Sequence, residues 1–459
     1  MGLAYGVYDL TLRALRGLSP PLGLWDGWKV GRGIRGRLVS SVALREWSET
    51  YRDQDRPLVW FHAPSVGESL QAGAVMEALC AEEPEVQLVY TFFSPSAEGM
   101  LRKLPVHAGG YLPWDTRPEM EGLVDALRPD VLVFTKTEVW PVLAQVASEQ
   151  EVPAVLVAGT LPSGASRLRW PARAFLQPAF RTLRRVCAIS QEDGDRFRRL
   201  GVSPEVVEVT GDPGIDSAAA RSEAADPGSA HLRPLLRDRP PTLVAGSTWK
   251  PDERILLPAL RVLRREVEGL RLVIAPHEPT PGHLSQLTGE LEEDGWSVIP
   301  LSRVESSESV GGGDVVVVDR VGVLSDLYRA GDVAFVGGGF HDHGLHSVLE
   351  PAAAGLPVTF GPRHQNARAA AELEAEGGAR AVGSSEELAE VLGRWLKVSE
   401  VGEEAASRAR GYIERHRGAA VRTSRILKGL LGPEGEERAP SAVDGVPPSP
   451  NIPPPETSP

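Results

Sequence analysis

The sequence predicts an α/β protein made of two doubly wound domains in tandem, facing a cleft. Three observations predict it. Short apolar runs alternate with amphipathic segments along most of the chain. The runs are apolar throughout, as strands are when helices cover both faces of a parallel sheet. The alternation halts at a polar stretch near the middle and then restarts. A chain of 459 residues has room for two or three domains. A content of 42% hydrophobic and 24% charged residues is globular.

Residues 1–40 stand apart as a basic amphipathic segment. "MGLAYGVYDLTLRALRGL" places Leu3, Val7, Leu10 and Ala14 at helical spacing, and Arg13, Arg16, Lys29, Arg32, Arg35 and Arg37 outnumber Asp9 and Asp26. Such a lead on an acidic protein suits the surface of an anionic membrane, or it packs on its own domain. Residues 41–216 are the first expected domain, with strands in "LVWFHA", "QLVYTFF", "DVLVFT", "VPAVLVAG", "VCAIS" and "VEVTG" and amphipathic segments over 66–82 and 117–127. Residues 217–240, rich in Ala, Asp, Arg and Pro, read as a linker. Residues 241–432 are the second domain, with strands in "TLVAGS", "LRLVIAPH", "WSVIPL", "DVVVVD", "VAFVGGG" and "PVTFGP". The Pro-rich tail, 433–459, lacks a core-forming pattern and is expected to be disordered.

A net charge of −13 argues against a general nucleic-acid binder, which is usually basic. Cys80 and Cys187 form neither a metal spacing nor a disulfide framework, so a reducing compartment is expected. The N-terminus has no unbroken apolar signal region. No apolar run reaches the length of a membrane span.

In open α/β sheets, ligands bind beyond the carboxyl ends of the strands. In "FHAPSVGESL" (61–70), Ser65 and Glu68 have the spacing of a helix capping box, and Glu68 also stands where an α/β enzyme places a general base. "TFFSPSAEG" (91–99) and "TKTEVWP" (135–141) are expected beside it, so Glu138 is a second carboxylate near the cleft or a helix N-terminal acid. In the second domain, Gly246, Ser247 and Thr248 lead from a strand into a helix and offer an anion site or a plain N-cap. Gly337, Gly338 and Gly339 follow a strand and would let the backbone approach a phosphate. Glu350, at a helix start, could accept bonds from ribose hydroxyls. Arg363 and Asn366 reach the same pocket or cap the next helix. His341, His343 and His346 have loop spacing and no accompanying Cys, so no metal site is assigned.

These motifs keep the order and spacing of a known family. "HAPSVGES", "YLPWDTRP", "TEVWP", "ISQEDGDRFRRLGV", "AGSTWKPDE", "LSDLYRAGDVAFVGGGF" and "LEPAAAGLPV" together resemble the 3-deoxy-D-manno-octulosonic acid (Kdo) transferases of lipopolysaccharide synthesis, over residues 1 to about 430. The resemblance implies a GT-B fold and transfer of Kdo from CMP-Kdo to a lipid A precursor, with inversion at the anomeric carbon. It implies attachment to the cytoplasmic face of the inner membrane through the N-terminus. On the family's pattern Glu68 is the general base, and CMP is held by the Gly246–Thr248 turn, the Gly337–Gly339 loop and Glu350. The transition state should resemble an oxocarbenium ion. No metal or cofactor is required.

The chain departs from the pattern at several cationic positions. Lys136 replaces the first Glu of the family's E-T-E-L-W-P, and Gly214 stands where the family has a Lys. His277 and Pro281 replace two arginines, and Leu345 and Ser347 replace a Gly and an Asn. Lys136 could supply the charge missing at Gly214, and His277, His343 or His346 could stand near the phosphate. The expected catalytic set is therefore Glu68, Glu138 and Lys136. The expected donor-binding set adds His277, His346 and Asn366 to the glycine loops, Ser247, Thr248 and Glu350. Two other readings stay open: a related transferase with a different nucleotide-sugar donor, and a weakly catalytic binding protein on the same scaffold.

Overall fold

The computed structural model describes residues 3–18, 29–342 and 344–432. The tail expected to be disordered, 433–459, and His343 lie outside the described residues. The described residues form two compact units, one of those up to 214 together with 418–432 and one of those from 215 to 417.

The first unit holds a seven-stranded, all-parallel sheet. Its strands are β1 (Leu58–His62), β2 (Gln87–Phe92), β3 (Ala108–Tyr111), β4 (Val131–Thr135), β5 (Ala154–Gly159), β6 (Leu183–Ala188) and β7 (Val207–Val209). Their order is β3-β2-β1-β4-β5-β6-β7. Alternate residues of each strand enter opposite cores, as the pleat requires. Trp60, Val89, Leu132 and Phe134 face one layer of helices; Val59, Phe61, Tyr90 and Val133 face the other. Chain order reverses between β1 and β4, and such a switch point opens a crevice at the strand ends.

The second unit repeats the architecture with β8 (Thr242–Thr248), β9 (Arg271–Pro276), β10 (Val298–Pro300), β11 (Val315–Val317), β12 (Val333–Val336), β13 (Val358–Phe360) and β14 (Ala379–Ala381). The order is β10-β11-β9-β8-β12-β13-β14, again all parallel. The switch point here lies between β8 and β12.

Two strands escape the apolar patterning. "AGGY" forms β3, where a Cβ on Gly109 would stand 2.5 Å from the Tyr90 carbonyl oxygen. Edge strand β14 is the three-residue "ARA".

Two boundaries also move. The expected linker 217–240 contains most of the Pro213–Ala224 helix and the Arg233–Arg237 helix, which bury Ala219, Leu232 and Leu235 in cores of the second unit. The expected second domain ends too late. The Ala419–Lys428 helix returns to the first unit and lies along the Val66–Glu82 helix, where Ala420 and Leu427 join Ala72, Val75 and Met76 in one core. The reason is that its buried residues complete that core, while Lys428 pairs with Glu83 at 2.9 Å.

The Leu3–Leu18 helix has two different sides. Tyr5 and Tyr8 pack edge-on or tilted against Phe175, at 5.2 and 5.4 Å between ring centroids. Val7, Leu10 and Leu15 point to solvent. At 16 residues the helix is short of a membrane span, and no described helix is long and apolar enough to cross one.

Candidate active site

In the first unit three strand-end loops meet at the β1/β4 switch point. The amides of Phe93 and Ser94 donate to the Pro64 carbonyl at 3.2 and 2.8 Å. Phe93 stacks on Trp140 at 5.3 Å, and Trp140 Nε1 donates to His62 Nε2 at 2.8 Å. An indole N–H only donates, so His62 Nε2 carries no proton and Nδ1–H donates to Thr91 Oγ1 at 3.1 Å. Burial pushes the His62 imidazolium down to about 3. The folded state therefore keeps His62 neutral while the unfolded chain protonates it near pH 6.5. Stability present above pH 6.5 is lost as pH falls toward 3. The loss from His62 is roughly 2 kcal/mol between pH 6.5 and 5. Thermal unfolding across that range should show a smaller decline for His62→Gln, which keeps a donor and an acceptor but does not titrate.

Glu68 sits in the first turn of the Val66–Glu82 helix, with its side chain 13% exposed. Ser65 occupies the N-cap position but makes no side-chain cap bond. Its hydroxyl donates instead to Glu68 Oε2. The expected capping box is thus absent: the Ser65 hydroxyl is turned to the carboxylate, and its oxygen accepts from no helix amide. Lys136 Nζ lies 3.1 Å from Glu68 Oε1. Burial pushes the Glu68 carboxyl up, but Lys136 and Ser65 outweigh it and hold the group below the usual carboxylate range. Glu68 is an ionised acceptor at neutral pH.

Lys136 itself adopts the left-handed region, with φ 67°. Its amide donates to the Val157 carbonyl at 2.8 Å and its carbonyl accepts from Thr160 at 3.2 Å, so β5 pins the conformation. Non-glycine residues held there concentrate at functional sites. Gly214 borders the same helix, within contact of Gln71 for any added Cβ. Lys136 and the vacated lysine position thus flank one helix start. Glu138 pairs with Arg167 at 2.5 Å and is half-buried.

In the second unit the β8/β12 switch point gathers most of the expected donor set. Ser247 is the left-handed residue here, φ 53°, at a register shift in β8. Thr248 is fully buried and donates to Glu253 Oε1 at 2.9 Å, and His283 Nε2 meets the same carboxylate at 2.9 Å. At the Lys250–Glu266 helix start the Trp249 amide donates to Asp252 and the Glu253 amide to the Trp249 carbonyl. Asp252, fully buried, accepts from the amides of Trp249 (2.9 Å), Gly338 (2.9 Å) and Phe340 (3.3 Å). Burial raises its carboxyl, against the pull of those amides.

The glycines serve backbone packing. A Cβ on Gly337 would lie 2.3 Å from the Ser247 carbonyl oxygen, and one on Gly339 would lie 2.5 Å from the Gly361 nitrogen. Gly246 yields its side-chain space to Tyr328. Asn366 clamps the backbone of Leu345, donating to its carbonyl at 2.9 Å and accepting from its amide at 3.0 Å. It shapes the loop that ends in His346. Glu350 pairs through Oε1 with Arg221 at 2.8 Å.

Above this floor stands an aromatic stack with no counterpart in the sequence expectations. Trp249 lies parallel to His277 at 4.6 Å, His277 to His346 at 4.4 Å, and Trp249 Nε1 donates to His346 Nε2 at 3.0 Å. Burial, then the neighbouring His277 and His341, push His346 down to about 4. His277 and His346 therefore join one face, and His346 is neutral near pH 7. Among the described residues no group of three His, Cys, Asp or Glu side chains could hold a metal.

Two doubly wound parallel domains, each with a furnished switch point, define the GT-B-type fold. Solved structures with this architecture include the UDP-GlcNAc 2-epimerases of Neisseria meningitidis (TM-score 0.56, 14% identity, 82% of this chain and 99% of that one) and Methanocaldococcus jannaschii (0.55, 14%, 81% and 99%), a likeness of fold alone. The family model for 3-deoxy-D-manno-octulosonic-acid transferase (kdotransferase) matches residues 42–217. The 3-deoxy-D-manno-octulosonic acid transferase of Bordetella pertussis is 29% identical over 93% of this chain and 99% of its own length; that of Chlamydophila psittaci is 28% identical over 73% and 76%. The chain is similar to the Kdo transferases, at 25–29% identity over most of its length.

Proposed function

We propose that the protein transfers Kdo from CMP-Kdo to a lipid A precursor with inversion, and that Glu68 is the general base. The observation that carries this reading is an ionised, half-enclosed carboxylate at a strand switch point, oriented by Ser65 and Lys136. Glu68 takes the proton of the acceptor hydroxyl as that oxygen bonds to the anomeric carbon. The bond from that carbon to the phosphate oxygen breaks, and CMP leaves with the electron pair. In the second unit, Glu350 Oε2 would accept from a ribose hydroxyl, and the Trp249–His277–His346 stack would give a nucleotide a flat face, which its ring geometry supports. Lys136 and Glu138 are positioning groups in this scheme. Lys136 holds the base ionised, and Glu138 is committed to Arg167.

A different nucleotide-sugar donor is the second reading. It is favoured by His277, stacked between Trp249 and His346 where the family pattern has an arginine. Purified protein incubated with CMP-Kdo and a lipid A precursor should release CMP. No release with this donor but turnover with another would replace the first reading by the second.

The protein is further proposed to work on the cytoplasmic face of the inner membrane through its N-terminal segment. Support comes from exposed Val7, Leu10 and Leu15, and from Trp170, 85% exposed beside Arg169. Interfacial tryptophan and surface-lying helices are common at bilayer surfaces.

A further inference from the structure

A cavity of about 210 Å³ lies in the first unit between the Leu3–Leu18 and Lys29–Thr50 helices and the loop after β3. Three arginines line it, against one carboxylate. Both oxygens of Glu119 are taken, Oε1 by Arg16 at 2.5 Å and Oε2 by the Ser41 hydroxyl at 2.9 Å. Arg37 and Arg45 have no carboxylate partner among the described residues. Arg37 is 8% exposed and packs its guanidinium 4.0 Å over Phe93, donating one bond to the Phe93 carbonyl at 3.2 Å.

Two buried donors at the same cavity are unmatched. Arg45 Nε and Trp114 Nε1 have no hydrogen-bond partner among the described residues. An unsatisfied buried donor is costly, and a surplus of buried positive charge more so. Every deficit at this cavity calls for the same remedy, an anionic acceptor. The remaining wall is apolar and open: Leu38 and Val42, one helical turn apart, are both exposed. A ligand that is anionic at one end and apolar at the other matches both parts.

We propose that this cavity seats the phosphodiester of an anionic membrane phospholipid. Arg37, Arg45 and Trp114 Nε1 hold the phosphate oxygens, and Leu38 and Val42 meet the first methylenes of the acyl chains. The site extends the membrane reading above from general attraction to one defined lipid seat. The exposed apolar wall favours a bilayer lipid over a soluble phosphate, because an amphiphile's chains remain at the surface.

The test titrates the full chain with dihexanoyl phosphatidylglycerol below its micelle concentration, and with glycerol 3-phosphate. Saturable binding of the lipid is expected, with glycerol phosphate at least tenfold weaker. Arg45→Gln should weaken the lipid about tenfold, the scale of one lost charge-assisted contact. Trp114→Phe deletes one N–H with little change of shape. It should weaken binding severalfold and keeps the test decisive if Arg45→Gln unfolds. Arg13→Gln, the same charge change outside the cavity, should leave lipid affinity unchanged. Glycerol phosphate binding as tightly as lipid would make this a free-phosphate site and overturn the proposal. Equal losses in Arg45→Gln and Arg13→Gln would reduce it to diffuse attraction and overturn it too. Vesicles containing phosphatidylglycerol separate the two readings. If wild type and both Arg45→Gln and Trp114→Phe float with vesicles equally, the membrane reading stands and the lipid seat falls. If the soluble lipid binds as described but no vesicles are bound, the seat stands and the membrane reading falls.

Discussion

Glu68→Gln should lower turnover by about 10²–10⁴-fold, the usual worth of a general base, while the protein unfolds at nearly the wild-type temperature. The two effects separate because of how Glu68 is held. Ser65 does not cap the helix through its side chain, so no capping bond is lost. Gln keeps an oxygen for the Ser65 hydroxyl. The pair with Lys136 involves a lysine 45% exposed, and ion pairs of that kind contribute little to stability. What Gln cannot do is take a proton. Steady-state rates and thermal unfolding on the same sample decide the matter, and wild-type turnover would remove Glu68 as base. The acidic limb of the wild-type rate profile should lie at lower pH than an ordinary carboxylate would give, since Lys136 and Ser65 favour ionised Glu68.

Asp252→Ala should be the most damaging single change in the second unit. It would strand three amides, those of Trp249, Gly338 and Phe340, around a fully buried position. At about 1–3 kcal/mol for each unsatisfied buried donor, a loss of at least 3 kcal/mol is expected in urea unfolding. Asp252→Asn, with one acceptor oxygen left, should fall between Ala and wild type. Nucleotide affinity should weaken in step, because the same carboxylate joins the Trp249 helix start to the glycine loop. Urea midpoints equal to wild type for Asp252→Ala would show that Gly337 and Gly339 hold the loop by backbone packing alone.

Long buried strands were legible in the sequence because burial on both faces leaves them almost wholly apolar. "LVWFH" and "VLVFT" are buried at every position, and they place the first switch point. Two of the four edge strands, β3 and β14, were not legible. "AGGY" and "ARA" are selected for lack of bulk or for shortness, and neither condition leaves an apolar signature. The loops carrying Glu68 and Lys136 could be located from the strands they follow. Their ion pair could not, because it depends on a left-handed backbone at Lys136, which no residue type there announces. Asp252 was invisible for a related reason. In sequence it is an ordinary acid in a first helical turn, and only the fold brings a glycine loop to it. The stack of Trp249, His277 and His346 joins residues from three separate loops, so no local pattern reveals it.

The return of the Ala419–Lys428 helix to the first unit bears on how the molecule is made. Domains commonly fold as units while the ribosome is still adding residues. Here the unit that begins the chain is the last to be complete. Until residues 419–428 leave the ribosome, the side of the Val66–Glu82 helix that takes up Ala420 and Leu427 stays uncovered, although the whole of the second unit has already emerged. Synthesis therefore delays the securing of the helix that carries Glu68 until the second unit has been made.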